Sequence, residues 1–291
     1  MLLTPRLLAS TRDLTLIARR IADGVGFGAH RSRAPGPGLE FTQYRPYQPG
    51  DDLRRLDWKL AARSNRFFIR ESERESSVPL RLLVDSTGSM AYAEDGVSLL
   101  DAARMLAAGL ALIADRQGDA IGLIAVSDAA AAMVPARREQ AQLARVLHAL
   151  ERMQARGRWP AWNEIENAAA TGGRGITVLL TDAAEEKDEI FAAIRRLAAL
   201  GHEVIVVHLA GRTLLEFAWA GAVRFEELES GRTVDVDASL ARDRARTATQ
   251  QRFELFERAV RALSADYQRV LLDEPLDGAL RGWLRLRTRR A

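Results

Sequence analysis

From residue 80 onward, short runs rich in Ile, Val and Leu recur along the chain: Leu80–Val84, Ala120–Val126, Ile176–Leu180, Glu203–Leu209 and Arg269–Leu272. Nearly continuous apolar runs of this length predict parallel strands covered on both faces. Longer stretches with helical spacing lie between and after them, at Val97–Ala114, Glu139–Gln154, Ala161–Ala170, Glu186–Leu200, Ala238–Ser264 and Leu276–Leu286. Gly201 sits where the residue just past a helix end belongs. The text GDAIGLIAVSDAAAAMVPAR reads as a strand turning back into a short antiparallel edge strand. Strands alternating with helices imply an α/β fold with a doubly wound, mostly parallel sheet flanked by helices and right-handed connections.

The text before residue 80 has a different texture. A short helical pattern covers Leu14–Ile21. The stretch RSRAPGPG over 31–38 reads as a Gly/Pro loop. Residues 39–78 are charged and irregular, with a strand-like piece chiefly at Arg66–Arg70. This text is too polar to bury a core of its own, so it is expected to form an irregular N-terminal layer. The division expected is 1–79 for that segment and 80–291 for the α/β body.

Composition narrows the function classes. At 291 residues and 47% apolar, the chain suits one large α/β domain, or a domain with an appendage, and is not disordered. It has no cysteine, which excludes disulfides, thiolate metal sites and cysteine nucleophiles. Net charge is +3, and of the 42 bases only Lys59 and Lys187 are lysines. No basic block with interleaved aromatics occurs, so no nucleic-acid partner is expected. No signal-peptide pattern is visible, and Met105–Ala114 and Ala120–Ala136 fall short of a membrane span. A soluble, cytoplasmic protein is the expectation. His30, His148, His202 and His208 lack ligand spacing and read as surface or packing residues.

The chemistry concentrates at LRLLVDSTGSM, Leu80–Met90. A buried strand delivers Asp85, followed by Ser86, Thr87, Gly88 and Ser89. A strand, an acidic hydroxyl-rich loop and a helix are how an open parallel sheet builds a site at its carboxyl edge. Asp85, Thr87 and Ser89 offer hard oxygen donors, suited to a magnesium-type cation. Alternatively, these hydroxyls simply cap the following helix. Asp182 closes another buried strand. It either faces Asp85 across the crevice, where a cation would relieve the repulsion, or caps the next helix. A third cluster, Pro49–Arg63, packs Asp51, Asp52, Arg54, Arg55, Asp57, Trp58, Lys59 and Arg63 together, reading as a structural clasp.

Several enzyme signatures are absent. Thr87 stands where a haloacid-dehalogenase-type phosphatase needs its second Asp. There is no P-loop, no dinucleotide-binding glycine motif opening a helix and no G-x-S-x-G elbow. TGGRG, Thr171–Gly175, precedes a strand and is at the wrong end for phosphate capture. A metal-dependent hydrolase or phosphatase using Asp85 and Asp182 remains the rival class, without a nameable base or nucleophile.

Asp85–Ser89 resembles the D-x-S-x-S loop that opens the metal-ion-dependent adhesion site of von Willebrand factor A domains. Tyr47, Pro49, Gly50, Asp51, Asp52, Arg54, Asp57, Trp58, Lys59, Ala62 and Arg63 match the Y-x-P-G-D-D-x-R-x-I-D-W-K-x-x-A-R stretch of the bacterial domain-of-unknown-function 58 family. Phe225–Gly231 is similar to that family's F-x-D-L-E-x-G turn. The resemblance covers roughly residues 25–290. It implies a von Willebrand factor A-like body and a non-enzymatic, chaperone-like adaptor working with a MoxR-type AAA+ ATPase on an unnamed client. It further implies Mg2+ on Asp85, Thr87, Ser89 and Asp182, with a partner's acid completing the shell. The family's second-loop threonine has no counterpart in Arg158–Glu164, where either Asn163 substitutes as an oxygen donor or no metal binds. Trp159 and Trp162 beside it are either core lids or a contact surface.

Overall fold

The computed structural model describes residues 3–11, 13–24, 34–48, 51, 56–64, 66–74, 78–128, 133–160, 173–184, 188–228, 231–276, 278 and 280, with the backbone alone for 34–45 and 70–74. In chain order, α1 (Pro5–Ala9) and α2 (Leu14–Gly24) come first. They are followed by β1 (Ala34–Pro46), α3 (Trp58–Ser64) and β2 (Phe68–Arg74). Next come β3 (Leu80–Asp85), a 3-10 turn (Gly88–Ala91), β4 (Ala93–Glu94), β5 (Val97–Ser98) and α4 (Leu99–Arg116). Then follow β6 (Ile121–Val126), β7 (Met133–Arg137), α5 (Gln142–Arg152), β8 (Ile176–Thr181) and α6 (Glu189–Ala199). The described elements close with β9 (Glu203–Ala210), α7 (Arg212–Glu216), β10 (Ala222–Glu226), β11 (Thr233–Asp237), α8 (Ala238–Ala262) and β12 (Asp266–Leu271). The helices expected at Ala161–Ala170 and, for the most part, Leu276–Leu286 lie outside the described residues.

Two compact units form, residues 1–27 with 78–290 and residues 28–77. The larger unit holds a six-stranded sheet in the order β12-β9-β8-β3-β6-β7. All its pairings are parallel except β6 with β7, the expected antiparallel edge. Strand β12 begins at Asp266, three residues before the expected Arg269. Its first half alternates apolar and polar, unlike the continuous runs of the other strands.

β3, β6 and β8 are buried at every position. Alternate residues face opposite layers. Leu82, Val84, Val178 and Leu180 join one apolar cluster with α1, α2, α4 and α5, while Leu83 and Leu179 join another with α6 and α8. Helix α4 is apolar on nearly all sides because α2 and α5 cover the faces the sheet does not. Glycine at 109 permits this closeness, since a Cβ there would lie 2.7 Å from Ile21 Cγ2. Residues 5–24 of the expected N-terminal segment thus contribute to the sheet unit's core.

In the smaller unit, β1 and β2 pair antiparallel from Ala34↔Arg74 to Pro46↔Phe68, with register shifts around Phe41. The Gly/Pro stretch expected as a loop is therefore strand from Ala34. A two-stranded ribbon has free edges, where Pro35 and Pro37 can do without an N–H donor. Asp57 accepts from Lys59 N and Leu60 N, both at 3.0 Å, and so starts α3. Trp58 is 63% exposed.

Candidate functional site

The order of the strands places the site. From β3 the chain moves outward to β6 and β7, then returns to β8 on the other side of β3. The carboxyl ends of β3 and β8 thus flank the topological switch point, where open α/β sheets leave a crevice. The register pairs Val84 with Leu180, so Asp85 and Thr181 come level and Asp182 lies one residue beyond.

Asp85 is buried, and both of its carboxyl oxygens accept hydrogen bonds. Its Oδ1 accepts from Thr87 N at 3.0 Å and from the Thr87 hydroxyl at 2.7 Å. Its Oδ2 accepts from the Thr181 hydroxyl at 2.6 Å. The Thr87 and Ser89 hydroxyl oxygens lie 3.1 Å apart, and the Ser89 side chain hydrogen-bonds Asp182. Asp182 Oδ1 also accepts from Ala184 N at 3.2 Å. The structure thus brings Asp85, Thr87, Ser89 and Asp182 into one hydrogen-bonded group. Asn163 and Trp162 lie outside the described residues. Trp159 is half-buried and packs on the apolar cluster beneath α6 and α8.

The two acids do not sit in an ordinary carboxylate environment. Burial, then the neighbouring Asp182, pushes the Asp85 carboxyl up to about 7, against the opposing hydrogen bonds from Thr181 and Thr87. Burial raises Asp182 as well, against the pull of Ser89, Ala184 and Arg252. Two neighbouring acids that resist ionisation together are what a divalent cation would relieve. Carboxylate and hydroxyl oxygens are also the donor types that magnesium prefers. The donor set therefore fits such an ion.

Helix capping is not what these residues do. Helix α4 is capped by Ser98, whose hydroxyl accepts from Asp101 N at 3.0 Å while Asp101 reaches back to Ser98 N at 3.2 Å. Thr87 precedes the 3-10 turn without a side-chain cap bond. Helix α6 starts after Asp188, well past Asp182.

The Asp85 loop is braced from its other side. Gly88 N donates to Gly157 O and Arg156 N to Ser86 O, both at 2.9 Å. Gly157 holds a φ of +75°, which glycine adopts without strain.

Three contributors escaped the sequence reading. Thr181 supports Asp85 only because two distant strands share a register. His208 and Tyr267 support Asp182 from below. The Asp182 carbonyl can only accept, so the 3.0 Å contact puts the proton on His208 Nε2. Nδ1 then accepts from the Tyr267 hydroxyl at 2.9 Å. Phe253 and Phe256 pack on the imidazole, and burial holds it neutral, lowering it to about 3. A lone histidine in an apolar run carries no sequence signal of such a duty.

Uncharacterized proteins of Mycobacterium tuberculosis and Mycobacterium bovis are 29% identical over 270 residues, spanning 90% of this chain and 83% of theirs. An aerotolerance-related membrane protein of Bacteroides fragilis matches in structure with TM-score 0.47 and 17% identity, over 74% of this chain and all of that one. The von Willebrand factor A domain of SpRpn10 matches with TM-score 0.38 and 11% identity, over 69% and 92%. The fold is α/β, with a mostly parallel central sheet flanked by helices, and its structural neighbours include von Willebrand factor A domains. The cytoplasmic location expected from the sequence is withdrawn, because the similar structures include membrane proteins. Among the described residues no helix is long and apolar enough to cross a membrane. A family model matches residues 43–255, and the chain belongs to that family, described as Protein of unknown function DUF58.

Proposed function

We propose that the carboxyl edge of the sheet is a docking site for a partner protein's acidic group, and that the chain is a non-enzymatic adaptor. The observation that carries this reading is the convergence of Asp85, Thr87, Ser89 and Asp182 at the switch point. These four residues would hold a divalent cation, Mg2+ by donor type. When bound, the cation would supply positive charge that an incoming carboxylate can meet. Thr181, His208 and Tyr267 hold the two acids in place. A MoxR-type AAA+ ATPase is the partner that the family resemblance suggests.

The rival, a metal-dependent hydrolase or phosphatase using Asp85 and Asp182, gains no support from its surroundings. The histidine beside Asp182 has both ring nitrogens engaged and is sealed under aromatic rings. Calorimetry with Mg2+ and Mn2+ tests the cation: wild type gives a saturable heat that Asp85→Ala loses, and equal heats in both would remove the metal. Co-purification from the source organism, with and without nucleotide, tests the adaptor: recovery of an AAA+ ATPase supports it. Turnover of a phosphoester that disappears in Asp85→Ala would instead establish the rival.

A further inference from the structure

We propose a second recognition site beside the first: a pocket that takes the carboxyl terminus of a partner protein, with its last, apolar side chain inserted. The pocket holds about 340 Å3 and opens beside Ser86, on the side of the Asp85 loop facing α5. This is the size of a small-ligand site, typically about 300–1,000 Å3.

Ser86, Ser127 and Gln154 give its lining neutral polar groups. Ala125, Ala149 and Met153 give it an apolar wall, and His148, Arg152 and Arg156 are exposed basic side chains at its surface. No acid lines it. His148 and Arg152 stand one turn apart on α5 and so share a face. Among the described residues, neither Arg152 nor Arg156 is in an ion pair, whereas nearby Arg137 and Arg145 are both held by Glu139.

The walls are fixed before any ligand arrives. Arg156 is tied at both of its backbone groups: its N donates to Ser86 O at 2.9 Å, and its O accepts from the Ser127 hydroxyl at 2.5 Å. A preformed pocket spends little of its binding free energy on ordering itself.

The occupant follows from what the lining offers. Unpaired guanidiniums call for a carboxylate, which they bind in charge-assisted hydrogen bonds. The apolar wall calls for a hydrocarbon group within a few ångströms of that carboxylate. A chain-terminal Leu-like residue carries both on one Cα. An internal acid would need a second residue to supply the hydrocarbon.

Fluorescence anisotropy of the full chain tests this with a dye-labelled hexapeptide, Gly-Ser-Gly-Ser-Gly-Leu, as free acid and as carboxyl-terminal amide. The free acid is expected to bind saturably, with the amide at least about tenfold weaker. Arg152→Gln and Arg156→Gln, both surface changes, are each expected to weaken the free acid by about tenfold. Binding is expected to persist in a metal chelator, which separates this pocket from the cation reading. Equal binding of acid and amide, no binding of either, unchanged affinity in both Arg variants, or loss on chelation would each overturn the proposal.

Discussion

Thr181 shows how much one hydroxyl can carry when its partner is enclosed. It donates to Asp85 Oδ2 at 2.6 Å and accepts from Ala183 N at 3.0 Å. Thr181→Val keeps the shape and leaves a buried carboxylate oxygen and an amide without this partner. The expected loss is about 1–3 kcal/mol of unfolding free energy, read from urea titration at neutral pH, with Thr181→Ser recovering most of it. His208 gives a pH signature. Its folded-state value is lowered to about 3 by burial, against about 6.5 in an unfolded chain. Between these limits the unfolded state binds the extra proton, so this contribution to stability is lost as pH falls from about 6.5 towards 3. Asp85, raised to about 7, acts in the opposite sense between about 4 and 7. Comparing wild type with His208→Gln across pH cancels the Asp85 slope, and wild type should lose stability relative to the variant as pH falls from about 6.5 towards 3. At this scale Asp85, Thr87 and Ser89 were legible because they are adjacent in the chain and follow a buried run. Thr181, His208 and Tyr267 were not, because their roles depend on strand register and on which face of the sheet each meets.

Elements were legible where periodicity was strong. The strands that became β3, β6, β8 and β9 lie within a residue or two of expectation. The start of α4 moved from Val97 to Leu99 because a short hairpin, β4 with β5, ends there and Ser98 with Asp101 forms the capping box. That box was present in the text but overshadowed by the hydroxyls ten residues earlier. Helix α2 was visible as a pattern, yet nothing in its spacing said which surface it covers. Ile21, fully buried against α4, tests that assignment: Ile21→Ala should cost about 2–4 kcal/mol in thermal or chemical unfolding. Gly175, in the glycine-rich text that stands at the wrong end of a strand for phosphate capture, has a packing role. A Cβ there would sit 2.2 Å from Pro79 O, the acceptor for Ile176 N. Gly175→Ala should therefore lower stability by about 1–3 kcal/mol, measured by the shift in urea midpoint.

At the scale of the molecule, the expected boundary at residue 79 separated two textures of sequence, polar from apolar. The compact units separate along another line, since α1 and α2 share a core with the sheet while 28–77 forms its own unit. Texture reports local composition and is blind to contacts made across a long gap. A chain lacking residues 1–27 should lose cooperative unfolding, seen as a broadened calorimetric transition, because the α2 face of α4 is uncovered.

The same arrangement has a consequence in time. The apolar face of α2 is complete once Gly24 is made, yet α4, which it covers, starts only at Leu99. At roughly 5–20 residues per second on a ribosome, the early helix waits several seconds with Ile17, Ala18 and Ile21 unsheltered. Short helices are barely stable alone, so α2 is expected to stay unformed until α4 emerges. The sheet unit is then a late product of synthesis, and its nascent α2 segment a natural target for chaperone capture in the interval.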